Sequence, residues 1–136
     1  MSILLIDCYV DISGGSANFL PYLPTDTLVW KPVHEQVPQN LDGVTGIVIT
    51  GSAACIGDGD PWLLSLSRFL RQAMQQRLPC FGVCFGHQIL AHLCGATVGK
   101  MMRPEVGWKV IHTTKPSQIL YGLEAPFGCF LSHEDG

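Results

Sequence analysis

The sequence predicts an α/β fold, a mostly parallel sheet flanked by helices. Two observations carry this expectation. Runs such as "SILLI" (Ser2 to Ile6) and "GVTGIVIT" (Gly43 to Thr50) are continuously apolar, as strands buried on both faces are. Further along, apolar residues recur at helical spacing between short strand-like runs, so the elements read strand, loop, strand, strand, helix, strand, helix.

The first run ends at Asp7, where the carboxyl end of a buried strand opens into a loop. That loop, Asp11 to Thr27, is rich in Gly, Ser, Asn and Pro, and Pro21 and Pro24 interrupt any helix within "SANFLPYL". "TLVWKPV", Thr27 to Val33, supplies a second strand that Pro32 ends, towards a sheet edge. The β-branched core of Gly43 to Thr50 suits a buried parallel strand. Asp60 and Pro61 then form a helix start, with Asp60 placed to accept N-cap hydrogen bonds. Trp62, Leu66, Phe69, Leu70, Ala73 and Met74 follow on one helical face, with Arg68, Arg71, Gln72 and Gln75 mostly on the other. "PCFGVC" returns as a short strand, and "GHQILAHLC" reads as a helix stopped by Gly95. "ATVG", "GWKVIHTT" and "GCFLS" read as further short strands.

A chain of 136 residues with 47% hydrophobic and 14% charged residues forms one domain with a substantial core. Its net charge is −3, and no basic arm or arginine cluster offers a footprint for a phosphate backbone, which argues against a nucleic-acid partner. The opening "MSILLIDCYV" lacks a basic leader, and no apolar stretch approaches the roughly 18 residues of a membrane span. A cytoplasmic protein with no membrane partner is expected. Six cysteines lie among strand-like and helical neighbours rather than in a loop-rich stapled module, so they are expected to be reduced.

The chemistry concentrates in "PCFGVCFGHQIL", where Cys84 stands between Gly82 and Gly86 at a strand-to-helix junction. In open α/β sheets reactive groups gather at the carboxyl ends of strands, and a tight turn there needs small neighbours. The helix beginning near Gly86 points free N–H groups towards Cys84, and backbone N–H groups of Phe85 and Gly51 could receive an oxyanion if their loops converge. Two other readings compete. Cysteine is a small hydrophobe, and Cys80, Cys94 and Cys129 are assigned to the core, with Cys8 and Cys55 open. Cys80, Cys84, His87 and His92 include metal-ligand types, but C-x3-C-x2-H-x4-H does not match an ordinary closed zinc site. "GDGDP" lacks the remaining acids of a calcium loop. No metal or other cofactor is expected.

The segments "GVTGIVITGSAACIGDGDPWL", "PCFGVCFGHQILAHLCGATVGK", "RPEVGWKV" and "FLSHEDG" together resemble the class I glutamine amidotransferases, particularly the group similar to the glutaminase portion of GMP synthase. They occur in that family's order from about residue 42 onward, and the first forty residues resemble it more weakly. The resemblance implies a three-layer, flavodoxin-like α/β fold, of which residues 1–136 form the N-terminal two-thirds of a single domain, C-terminally incomplete. It also implies hydrolysis of glutamine through a γ-glutamyl thioester, with ammonia passed to an acceptor domain or subunit.

Carried over residue by residue, Cys84 is the nucleophile and Gly51 and Phe85 form the oxyanion hole. Gln88, Glu105, Ser132 and His133 belong to the substrate-binding set, with Gly107 completing an E-x-G segment. The family's general base lies in a later His-Pro-Glu segment, which these 136 residues do not contain. None of the five histidines matches it by motif: His34, His87, His92, His112 or His133. The expectation is a glutaminase domain inactive as this chain, prone to self-association through an incomplete fold. The alternative is a non-catalytic binding or structural remnant. A different cysteine hydrolase of similar fold usually places His directly after the nucleophile, where this chain has Phe85.

Overall fold

The computed structural model describes residues 1–135, which divide into two compact units, Met1 to Gly99 and Lys100 onward. The first unit holds β1 (Ser2–Ile6), β2 (Leu28–Trp30), β3 (Val44–Ile49), α1 (Pro61–Gln75), β4 (Cys80–Gly82) and α2 (Phe85–Leu93). Its four strands form one parallel sheet in the order β2-β1-β3-β4, as their apolar character predicts. In register, Ile6 pairs with Trp30 and Ile49, and Ile49 with Gly82.

That register separates the two faces of the sheet. Leu4, Ile6, Trp30, Ile47 and Ile49 share one face and join the buried side of α1, formed by Leu63, Leu66, Phe69, Leu70 and Ala73, and Phe85 and Ile89 of α2. Trp30 and Phe69 meet with ring centroids 4.8 Å apart. The other face carries the cross-strand row Val29, Leu5, Val48 and Phe81; Leu5 is fully buried, whereas Val29 and Phe81 are exposed.

Helix α1 begins where Asp60 and Pro61 predict, but Asp60 makes no side-chain cap bond. Its carbonyl instead accepts the Leu63 N–H at 3.0 Å. Asp58 caps a different element: it accepts the Cys55 N–H at 2.7 Å in the capping box of the single 3-10 turn Ile56–Asp58 that precedes α1. After β1, the proline-broken segment forms two single 3-10 turns, Ser16–Asn18 and Leu20–Tyr22, as its prolines allow.

The second unit is an antiparallel pair of β5 (Lys100–Ile111) and β6 (Phe127–Asp135). "ATVG" is therefore not a strand, and of "GWKVIHTT" only Gly107 to Ile111 are strand, the latter part of one twelve-residue element. Pro104 sits inside the register shift between Lys100 and Glu105, where a ladder N–H is dispensable. Gly107, the glycine of E-x-G, has φ +119, a backbone conformation that side chains resist.

Candidate active site

Cys84 lies where β4 turns into α2, exposed to solvent, with φ 52 and ψ −113. A non-glycine residue held at positive φ is costly and persists only where its surroundings enforce it. Here the enforcement is visible. The Val83 N–H bonds the Ile49 carbonyl at 3.0 Å, the Gly86 N–H is shared between Thr50 O at 3.1 Å and Val83 O at 2.9 Å, and the Gln88 N–H bonds Cys84 O at 3.0 Å.

Both flanking glycines are required by space. A Cβ at Gly82 would strike the backbone carbonyl of Gly86, and one at Gly86 would strike the carbonyl of Ile49. The G-x-C-x-G pattern thus records helix α2 pressed against the ends of β3 and β4 with no room for a side chain between them.

Gly51 adjoins the same turn: a Cβ built on it would lie 3.6 Å from Cys84 Cβ. Gly51 and Phe85 are buried, and among the described residues neither backbone N–H has a hydrogen-bond acceptor. Buried N–H groups seldom go unpaired, so two such donors around an exposed thiol form a ready seat for an anionic oxygen. Phe85 is anchored by its ring, whose centroid is 5.8 Å from that of Trp62 in α1.

Thr50, Asp7 and Tyr9 also shape this site, although no motif in the sequence marks them as site residues. Thr50, fully buried, accepts the Cys8 N–H and donates to Gly51 O, both at 2.9 Å, and so ties the end of β1 to the Gly51 loop. Asp7, also fully buried, accepts the Tyr9 N–H at 3.2 Å, the Gly15 N–H at 2.9 and 3.0 Å, and the Ser16 N–H at 2.8 Å. These bonds hold the glycine-rich loop and Tyr9 in place. An acid directly after a buried strand is the one sequence signal for them.

The thiols divide by burial. Burial, and secondarily the Asp7 carboxylate, push the Cys8 thiol far above its ordinary range, and burial also raises Cys80. Cys94, expected in the core, is instead exposed where it caps α2; Cys129 is half-buried. His87 and His92 are both exposed on α2, and His34 Nε2 lies 3.1 Å from Val10 O. Among the described residues, no three metal-ligating side chains cluster.

Within the second unit, Glu105 and His133 face each other across the strand pair, with His133 Nε2 3.2 Å from Glu105 Oε2. Both side chains are partly buried, and Ser132 beside them is exposed, paired with Val106. Gln88 lies half-buried on α2, one turn beyond Cys84.

The profile of the family described as glutamine amidotransferase class-I matches residues 4–136. The chain belongs to the class-I glutamine amidotransferase family. This amidotransferase domain is 31% identical over 97 residues to a glutamine-hydrolyzing GMP synthase subunit of Thermoplasma volcanium, covering 71% of this chain and 46% of the relative. It is 31% identical over 98 residues to gamma-glutamyl peptidase 3 of Arabidopsis thaliana, covering 69% and 39%. A solved glutamine amidotransferase from Thermotoga maritima shares its fold with a TM-score of 0.83 at 18% identity, covering all of this chain and 61% of that one. The amidotransferase domain thus spans less than two thirds of the length of each of these relatives. Among its described residues, no helix is long and apolar enough to cross a membrane.

Proposed function

We propose that Cys84 is the nucleophile of a glutamine-hydrolysing site whose product ammonia goes to an acceptor domain or subunit. The observation that carries this reading is the exposed thiol at φ 52, held at a strand-to-helix turn beside the two acceptor-free N–H groups of Gly51 and Phe85. The relatives' names support the substrate class: one is glutamine-hydrolysing and another is a γ-glutamyl peptidase.

In this reaction the Cys84 sulfur adds to the carboxamide carbon, and the Gly51 and Phe85 N–H groups stabilise the oxyanion. Collapse breaks the C–N bond, and nitrogen leaves as ammonia after gaining a proton. Water then attacks the γ-glutamyl thioester, releasing glutamate and returning the proton to sulfur. Gln88, one turn beyond Cys84 on α2, takes the substrate-holding role that its motif carries by resemblance.

Both proton transfers need a positioned base. The family's base belongs to a His-Pro-Glu segment that these 136 residues do not contain, so we assign this chain attack capability with slow turnover.

Reaction of the folded chain with iodoacetamide tests the nucleophile. Cys84 is expected to be modified ahead of Cys94, although both are exposed, and well ahead of Cys8 and Cys80, whose burial holds them protonated. Peptide mapping at partial modification reads the order. Equal rates at Cys84 and Cys94 would reduce Cys84 to an ordinary exposed thiol and defeat the reading.

A further inference from the structure

Tyr9 is held beside the candidate nucleophile by contacts that its position in the sequence does not announce. The virtual Cβ of Gly51 that lies 3.6 Å from Cys84 Cβ lies 3.9 Å from the Tyr9 hydroxyl, so the tyrosine and the cysteine flank the same glycine. The Tyr9 ring lies against Gly15 so closely that no Cβ fits there.

Its backbone is equally constrained. Asp7 binds the N–H groups of both Tyr9 and Gly15, closing the loop on the ring. Thr50 fixes the other side, linking Cys8, the residue before Tyr9, to the carbonyl of Gly51. A residue 37% exposed would ordinarily be free to move, yet here ring and main chain are held by buried partners. Among the described residues its hydroxyl has no hydrogen-bond partner, which leaves a directed donor and acceptor at the mouth of the Cys84 turn.

We propose that Tyr9 is a substrate-contacting residue of this site, its hydroxyl hydrogen-bonding the polar groups of a γ-carboxamide amino acid bound at Cys84. This inference rests on the glutamine reading above. The hydroxyl is not a base for the thiol; its role is to recognise and orient substrate, so its loss should affect a glutamine-shaped reagent and spare one without amino-acid groups.

The test compares two reagents on the full chain and its Tyr9→Phe variant, which keeps the ring on Gly15 and removes only the hydroxyl. One is iodoacetamide; the other is 6-diazo-5-oxo-L-norleucine, a glutamine-shaped alkylating agent. Rates at Cys84 are read by peptide mass spectrometry. The expected result is that Tyr9→Phe slows the glutamine-shaped reagent about 3- to 10-fold, the range of one hydrogen bond, with iodoacetamide unchanged. If the wild type reacts selectively with the glutamine-shaped reagent and the variant matches it, the Tyr9 proposal falls and the glutamine reading stands. If both reagents slow equally, Tyr9 acts on the thiol and substrate contact is overturned. A wild type showing no preference for the glutamine-shaped reagent defeats the glutamine reading, and the Tyr9 proposal with it.

Discussion

Ammonia release from glutamine by this 136-residue chain is expected to stay about 10²–10⁴-fold below that of the same chain extended by the family's His-Pro-Glu segment, the range that positioned proton transfer contributes. A thiol on a strained turn beside two backbone donors has the parts for addition to a carbonyl. Turnover needs, in addition, a positioned group that carries protons to the leaving nitrogen and from the attacking water. Within the first unit, His87 and His92 lie on α2 without the family's base motif, and His34 meets the Val10 carbonyl. The Cys84→Ala chain gives the background rate. A full rate in the short chain would contradict the proton-transfer argument and direct attention to His87, three residues beyond the nucleophile.

Gly86→Val should be strongly damaging at the site. Even the first atom of a side chain at Gly86 would lie 2.9 Å from the Ile49 carbonyl carbon and closer still to its oxygen. Both belong to the backbone of a buried central strand, so no flexible group can yield. Gly86→Ala is expected to cost at least about 1–3 kcal/mol, the usual penalty of overpacking, and valine more. Either variant would also disturb the shared Gly86 N–H bond and thereby the Cys84 turn. Gly57 is the control: nothing lies within 4 Å of a Cβ there, so Gly57→Ala should stay within about 0.5 kcal/mol. Urea unfolding midpoints at constant slope make the comparison. Equal midpoints for Gly86→Ala and Gly57→Ala would mean that α2 does not press on β3 as described.

Legibility in the sequence follows from how local the determinants are. Helix α1 is readable because its apolar spacing extends over fifteen residues behind an Asp-Pro start. The parallel sheet is readable because β1 and β3 are continuous apolar runs. The long strand β5 reads as fragments because Pro104 and Gly107 are strand breakers on average; the register shift accommodates the first and a positive φ uses the second. Cys94 looks like core by helical spacing, but it is the residue after the last turn of α2, where the stripe no longer faces the sheet.

The same distinction applies to the site. Gly82, Cys84 and Gly86 are close in sequence, so their spacing encodes the turn directly. Tyr9, Asp7 and Thr50 reach it through tertiary contacts: a carboxylate folding a loop back on itself and a hydroxyl bridging two strand ends. No local period marks such contacts. The acid after β1 and the threonine after β3 acquire their roles only when the two strands stand side by side.

Protection of individual thiols by substrate tests most directly whether Cys84 sits in a glutamine site. The folded chain is treated with iodoacetamide with and without saturating glutamine, and modification of Cys84 is compared with that of Cys94, the exposed thiol at the far end of the same helix. Glutamine should slow modification of Cys84 and leave Cys94 unchanged. Unchanged rates at both thiols, or equal slowing of both, would contradict the assignment of Cys84 as the nucleophile of a glutamine-hydrolysing site.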